Sequence, residues 1–161
     1  KLFGHSLMMP IPDINNTNYM IIVGGNPMAS NGSIMTVADV KNKIKNIQSR
    51  GGKVIVIDPR KTETADISTE HHFIKPGTDV LFLLAMLNTL FEKQLTHYGK
   101  LGALTPQLDE IRTYVKAYTP EKVASITGIK ADVIVQLATE FSKADKAVIY
   151  GRMGVSTQAF G

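Results

Sequence analysis

Short runs of consecutive apolar residues recur along the chain, separated by longer stretches with helical spacing. The runs Tyr19–Val23 and Lys53–Ile57 end at Gly24-Gly25 and at Asp58-Pro59. A continuous apolar run of this length is typical of a strand that is buried on both faces, as in a parallel sheet. A third strand is predicted around His72–Ile74, and a fourth at Ala147–Tyr150.

Amphipathic patterns predict helices between these strands. The first helix is predicted to begin at Thr36, with Asp39 at a capping-box spacing, and to stop at Gly51-Gly52. The segment from Asp79 to about Phe91 is apolar nearly all round, which indicates a deeply buried helix. Three more helices are predicted, two of them beginning with a Thr-Pro pair: at Thr105-Pro106, at Thr119-Pro120 and from about Lys130 to Lys143.

This order of elements predicts an α/β fold: a Rossmann-like three-layer domain with a mainly parallel sheet. We expect residues 1–18, with two prolines and no periodicity, to form an extended lead-in. Residues 19–161 form the domain, with a helical insertion near 95–128. Because the chain has no initial Met and stops just after a strand end, we expect it to be an interior piece of a longer protein.

Composition narrows the function classes. The 161 residues are 43% hydrophobic and 20% charged, and the net charge of +4 comes from scattered lysines, so a nucleic-acid partner is not indicated. No apolar stretch is long enough to span a bilayer, and no signal peptide is expected, so we expect a cytoplasmic protein without a membrane partner. The absence of Cys excludes thiolate ligands, and the four His do not converge, so no metal site is expected.

Polar and glycine-rich loops follow the four predicted strands. In a parallel sheet such loops gather along the carboxyl edge, where open α/β sheets bind ligands. No pair of residues for acid–base catalysis and no nucleophile stands out among them, so we expect a binding site and no catalytic residue. The loops are Gly24–Ser30, Asp58–Thr62, Lys75–Asp79 and Gly151–Gln158.

Each loop alone allows two interpretations. Gly24-Gly25-Asn26-Pro27 suits the close approach of a phosphate, but it is also a common turn, and it is neither a G-x-G-x-x-G fingerprint nor a P-loop. Asp58 could accept hydrogen bonds from a ribose diol or could form an Asx-turn, and Arg60 could meet a phosphate or be a surface charge. Asp79 could bind a guanine edge or simply begin a helix.

Taken together, these motifs resemble the molybdopterin oxidoreductases of the dimethyl sulfoxide reductase type. The segments Gly24–Pro27, Val54–Arg60, Lys75–Asp79 and Gly151–Val155 occur in the order found in that family, which includes formate dehydrogenases and nitrate reductases. The resemblance implies a bis(molybdopterin guanine dinucleotide) cofactor with molybdenum, and a domain that holds its guanosine diphosphate arm. The residues that it implies as cofactor-binding are Gly24, Gly25, Asn26, Pro27, Met28, Asp58, Arg60, Thr62, Gly77, Asp79, Met153, Gly154 and Gln158.

The same resemblance implies functions that these residues do not supply. Family members ligate molybdenum through a residue upstream of this segment, and many add an iron–sulfur cluster bound by upstream Cys. The implied partners are therefore the remaining domains of the parent chain and an electron-transfer partner, and the fragment alone should lack turnover.

Two alternatives to a molybdopterin-binding domain stay open: a nicotinamide- or thiamine-type dinucleotide domain, or a scaffold domain without a ligand.

Overall fold

The computed structural model describes residues 10–98 and 107–159. Four strands form one sheet in the order β3-β2-β1-β4, and every neighbouring pair is parallel. The mainly parallel α/β fold predicted from the sequence is therefore confirmed. The strands are β1 (Tyr19–Val23), β2 (Lys53–Ile57), β3 (Glu70–His72) and β4 (Ala147–Gly151).

Helices cover both faces of this sheet, with one core on each side. Within the described residues, no helix is both long enough and apolar enough to cross a membrane. The helices are α1 (Pro27–Ser30), α2 (Val40–Ser49), α3 (Glu63–Ile67), α4 (Asp79–Glu92), α5 (Leu108–Val115), α6 (Pro120–Thr127), α7 (Ala131–Lys143) and α8 (Met153–Ser156).

The central strands β1 and β2 are apolar at consecutive positions because alternate side chains enter different cores. Ile21 and Ile55 pack against α4, α6 and α7, whereas Ile22 and Val56 pack against α2 on the other face. All four side chains are fully buried. Burying an aliphatic side chain of this size contributes about 1.5–3 kcal/mol to the stability of the fold. The loops that follow these two strands therefore begin from well-packed positions.

The third strand was predicted two residues too late. It spans Glu70–His72 rather than residues 72–74, and it pairs with β2 as far as Ile57 opposite His72. Asp58 still donates its backbone N–H to the carbonyl of His72 at 3.2 Å. The next residue, Pro59, has no N–H to donate, so the ladder stops there and the chain after His72 leaves the sheet.

The predicted start of the first long helix was also wrong. Helix α2 begins at Val40, and Asp39 precedes it in a left-handed conformation (φ +54°) without a capping hydrogen bond. Thr36 also has φ +54° and lies four residues before the first residue of α2, so it does not cap this helix. Met35, just before Thr36, is fully buried in the core beside α2.

The later helices follow the sequence prediction. The helix predicted from Asp79 spans Asp79–Glu92, and none of its side chains before Glu92 is fully exposed. Thr119 caps α6, since its hydroxyl accepts the backbone N–H of Lys122. The predicted start at Thr105-Pro106 lies outside the described residues. The lead-in is not extended throughout, because residues 14–16 form a turn that buries Ile14.

Candidate functional site

The four predicted loops emerge at the carboxyl edge of the sheet, because all four strands run in the same direction. We call the loops 24–30, 58–62, 75–79 and 151–158 the rim. Backbone hydrogen bonds continue past the strand ends: the N–H of Gly24 donates to the carbonyl of Ile57 at 3.0 Å, and that of Arg152 donates to the carbonyl of Val23 at 3.2 Å. The rim is thus tied together by main-chain bonds, not only by proximity.

The first and fourth loops meet at the point where the chain order of the sheet reverses. From β1 the chain proceeds outward through β2 to β3, and β4 then returns to the other side of β1. Gly24 (φ +57°) and Gly154 face each other here, and the N–H of Gly154 donates to the carbonyl of Gly24 at 3.0 Å. A Cβ built on Gly154 would lie 2.8 Å from two backbone atoms of Gly24, so this approach requires a glycine.

A cleft of about 320 Å³ opens at this switch point, which is where open α/β sheets take their ligands. We call it the rim cleft. It brings together four residues predicted from the sequence, and it adds three that were not. Its walls are formed by Gly24, Gly25, Asn26, Ala29, Ser30, Arg152 and Met153.

The side chain of Asn26 connects the first loop to α3. Its amide nitrogen donates to the Glu63 carboxylate at 2.7 Å, and its amide oxygen accepts the hydroxyl of Thr64 at 2.7 Å. The Thr64 hydroxyl also accepts the backbone N–H of Met28 at 3.1 Å. The hydrogen bond from Asn26 is the main reason that the pKa of Glu63 lies below its usual range. Asn26 and Met28 therefore hold the loop in shape, while Pro27 is buried behind it.

The second loop has a structural role that the sequence left open. Asp58 forms the Asx-turn, because its carboxylate accepts the backbone N–H of Arg60 at 2.8 Å. Thr62 is 2% exposed and caps α3 by accepting the N–H of Ala65 at 3.2 Å. Arg60 is exposed and lies 3.8 Å from the carboxylate of Glu63. Asp58 and Arg60 keep free hydrogen-bonding capacity at the rim, whereas the Thr62 hydroxyl is enclosed.

In the third loop, a buried carboxylate lies at the beginning of α4. Asp79 is only 4% exposed. Burial raises the pKa of its carboxyl above the usual range; its own backbone N–H opposes this rise, and the negative charge of nearby Asp58 adds to it. A ligand that donates N–H or O–H groups to the Asp79 carboxylate would favour its charged form.

Gln158 joins the fourth loop to the third. Its amide nitrogen donates to the carbonyl of Gly154 at 2.8 Å, and its amide oxygen would lie 3.3 Å from a Cβ placed on Gly77. Gly77 has φ +80°, a conformation that favours glycine. The first, third and fourth loops therefore contact one another along the rim through Gly24, Gly154, Gln158 and Gly77. The predicted residues that do not line the rim cleft itself are Pro27, Met28, Asp58, Arg60, Thr62, Gly77, Asp79, Gly154 and Gln158.

Arg152 is the charged one of the three cleft residues that the sequence reasoning missed. It stands one position after β4 and contributes the only positive charge among the described residues that line the rim cleft. The signal was a cation inside a glycine-rich loop at the carboxyl end of a strand. No three His, Asp or Glu side chains converge to hold a metal ion within residues 10–98 and 107–159.

Comparison with known proteins identifies relatives along almost the entire chain. Residues 2–161 match the family model described as molybdopterin oxidoreductase. The chain is 36% identical to formate dehydrogenase H of Escherichia coli over 91% of its own length, and 32% identical to the molybdopterin-containing subunit of thiosulfate reductase of Salmonella typhimurium over 88%. The solved structure of acetylene hydratase from Pelobacter acetylenicus superposes with a TM-score of 0.74 at 26% identity over 89% of the chain.

These relatives are much longer proteins. The chain spans 20% of the formate dehydrogenase, 18% of the thiosulfate reductase subunit and 19% of the acetylene hydratase. It therefore corresponds to about one fifth of each relative.

Proposed function

Because this chain belongs to the molybdopterin oxidoreductase family, we propose that its rim binds the guanosine diphosphate arm of bis(molybdopterin guanine dinucleotide). The observation that supports this proposal most directly is the rim cleft at the switch point between β1 and β4. It has a glycine-lined wall and one cation on one side, and two carboxylates stand farther along the same edge.

The diphosphate fits the rim cleft by size and by chemistry. Gly24 and Gly25 line the cleft without side chains, so the backbone of this turn can approach an anion closely. Arg152 contributes positive charge to the same space. The described residues that line the cleft include no carboxylate, so an anion there meets no direct repulsion.

The guanosine would lie at the carboxylates of Asp58 and Asp79, which are 9% and 4% exposed. A carboxylate at the end of the second strand can accept the hydroxyls of a ribose, as in dinucleotide-binding domains. Asp79 can accept two N–H donors from the edge of guanine in a paired, charge-assisted arrangement. An adenine edge offers only an exocyclic amine beside a ring acceptor, so the same carboxylate should prefer guanine.

In the complete enzyme, the cofactor when bound would supply molybdenum redox chemistry, and the residues of this chain would hold and orient its nucleotide end. We propose further that the parent protein is an oxidoreductase, whose remaining domains supply the metal ligand and any iron–sulfur cluster. We also propose that it has an electron-transfer partner and that it lies in the cytoplasm. Fractionation of the source cells would test that location.

Calorimetric titration of the purified 161-residue chain with GDP, ADP and NAD tests the assignment. We expect GDP to bind most tightly, because only guanine presents two adjacent N–H donors to Asp79. Asp79→Asn should weaken GDP binding by about tenfold or more, the loss expected for a hydrogen bond to a charged group.

Asp109→Asn is the matched control, since Asp109 is an exposed carboxylate on α5 away from the rim. It should bind GDP like the unmodified chain. Equal affinity for GDP and ADP, or a preference for NAD, would contradict the guanosine assignment.

A further inference from the structure

Arg152 is held in a defined position at the mouth of the rim cleft. Its backbone N–H is bonded to the carbonyl of Val23, and its side chain is half-buried. The Cβ and Cγ atoms would lie 3.0 and 2.9 Å from a Cβ placed on Gly25, so the aliphatic stem lies directly on that glycine. A long side chain that is fixed along its stem loses less entropy when its end group binds a ligand.

The charged end of Arg152 has no carboxylate partner among the described residues. One guanidinium nitrogen donates to the hydroxyl of Tyr150 at 3.3 Å, and no described acidic group lies within ion-pair distance. The two cations of the second loop differ in this respect. Arg60 lies near the carboxylate of Glu63, and Lys61 lies 3.3 Å from that of Asp66.

Arg152 is the one described side chain lining the cleft that carries a positive charge, and the Ser30 hydroxyl and the backbone of Gly25 lie beside it. The amide of Asn26 is engaged by Glu63 and Thr64, so it is not available to grip a ligand without breaking the link to α3. A guanidinium presents several N–H donors in a plane and matches two phosphate oxygens at once. Arg152 also borders a second cleft of about 480 Å³, whose walls include Ile34, Ile149 and Met153, so its side chain lies between the two clefts.

We propose that Arg152 is the residue that recognises the diphosphate in the rim cleft. This inference rests on the proposed function for the identity of the nucleotide, but it concerns a different part of the ligand. Its prediction is that loss of the guanidinium weakens binding of phosphate-bearing ligands and leaves binding of the nucleoside unchanged.

The test measures binding of GDP, guanosine and inorganic pyrophosphate to the chain and to three variants. Arg152→Gln should weaken GDP and pyrophosphate binding by about tenfold or more, as for a lost charge-assisted hydrogen bond, while guanosine binds equally. Arg152→Lys should restore part of the loss, since it keeps the charge but not the planar fork. Arg50→Gln, at the opposite end of the strands, controls for net charge and should leave binding of all three ligands unchanged, although it removes the hydrogen bond from Arg50 to the carbonyl of Thr17.

The outcomes separate the two proposals. If the chain binds GDP and Arg152→Gln binds it equally well, the role of Arg152 is overturned while the proposed function stands. If pyrophosphate binds in an Arg152-dependent manner but GDP shows no preference over ADP, the anion site stands and the guanosine assignment fails. If neither GDP nor pyrophosphate binds the chain, both proposals are overturned. Equal thermal unfolding midpoints for the variants would exclude a folding defect as the cause.

Discussion

The contact between Gly24 and Gly154 gives the sharpest test of how the rim is built. We predict that Gly154→Ala destabilises the fold and weakens GDP binding. The added Cβ would lie 2.8 Å from both the Cα and the carbonyl oxygen of Gly24. Both distances are shorter than a Cβ can approach an atom to which it is not bonded. Both atoms of Gly24 belong to the backbone, so no side chain can rotate away, and the first and fourth loops must separate.

The expected change in the free energy of unfolding of Gly154→Ala follows from two opposing effects. Forcing an extra carbon into a packed site costs about 1–3 kcal/mol. Gly154 lies within the short helix α8, where Ala is favoured over Gly by up to about 1 kcal/mol. Because the contacted atoms of Gly24 belong to the backbone and cannot rotate away, the cost should lie in the upper part of that range, about 2–3 kcal/mol, and the net loss in the free energy of unfolding should be about 1–2 kcal/mol. Binding should weaken as well, because the displaced loops form opposite walls of the rim cleft.

Urea unfolding followed by circular dichroism measures the loss of stability, and calorimetric titration with GDP measures the loss of binding. Gly151→Ala is the matched control: it adds the same methyl group three residues away, where the nearest atom lies at an ordinary 3.8 Å. Its free energy of unfolding should change by less than about 0.5 kcal/mol. If the two variants were equally stable, the close approach of the glycines would not constrain the rim, and the reasoning would be refuted.

Two further predictions concern the support of the rim and the opposite edge of the sheet. Thr62→Ala removes the cap of α3 and should cost about 0.5–2 kcal/mol in urea unfolding; an unchanged midpoint would contradict this role. Burial alone would raise the pKa of Glu140, but hydrogen bonds from Gln136, Lys53 and Tyr19 outweigh it and lower the pKa. A lowered folded-state pKa contributes stability above the unfolded value of about 4.3, and this contribution is lost as pH falls through the folded value. Glu140→Gln should therefore flatten the decline in stability below about pH 5, and parallel curves for the two proteins would count against it.

The parts of the fold that the sequence predicted are those in which local pattern and tertiary packing agree. Strands β1 and β2 are apolar at consecutive positions because both faces are covered, so their runs were recognisable. Helix α4 was recognisable for the same reason. Helix α3 was not predicted, because five residues with two buried positions have no measurable periodicity.

The candidate site was predictable only as far as it depends on strand ends. Parallel strands bring their following loops to one edge, which is why the four motifs could be grouped from the sequence. The engagement of Asn26 by Glu63 and Thr64 could not be predicted, because those contacts join residues far apart in the chain. The fixed position of Arg152 depends equally on its contact with Gly25, which no spacing rule describes.

The order of the strands has a consequence for biosynthesis. Strand β4 completes the rim cleft but is translated last of the four, after all the helices from α2 to α7. Pairing between such distant segments is slow, because a long loop must close before any contact stabilises it. A nascent chain therefore exposes the Gly24-Gly25 turn with no opposing wall until β4 docks. A nucleotide that binds only after β4 has paired with β1 would then stabilise the complete sheet.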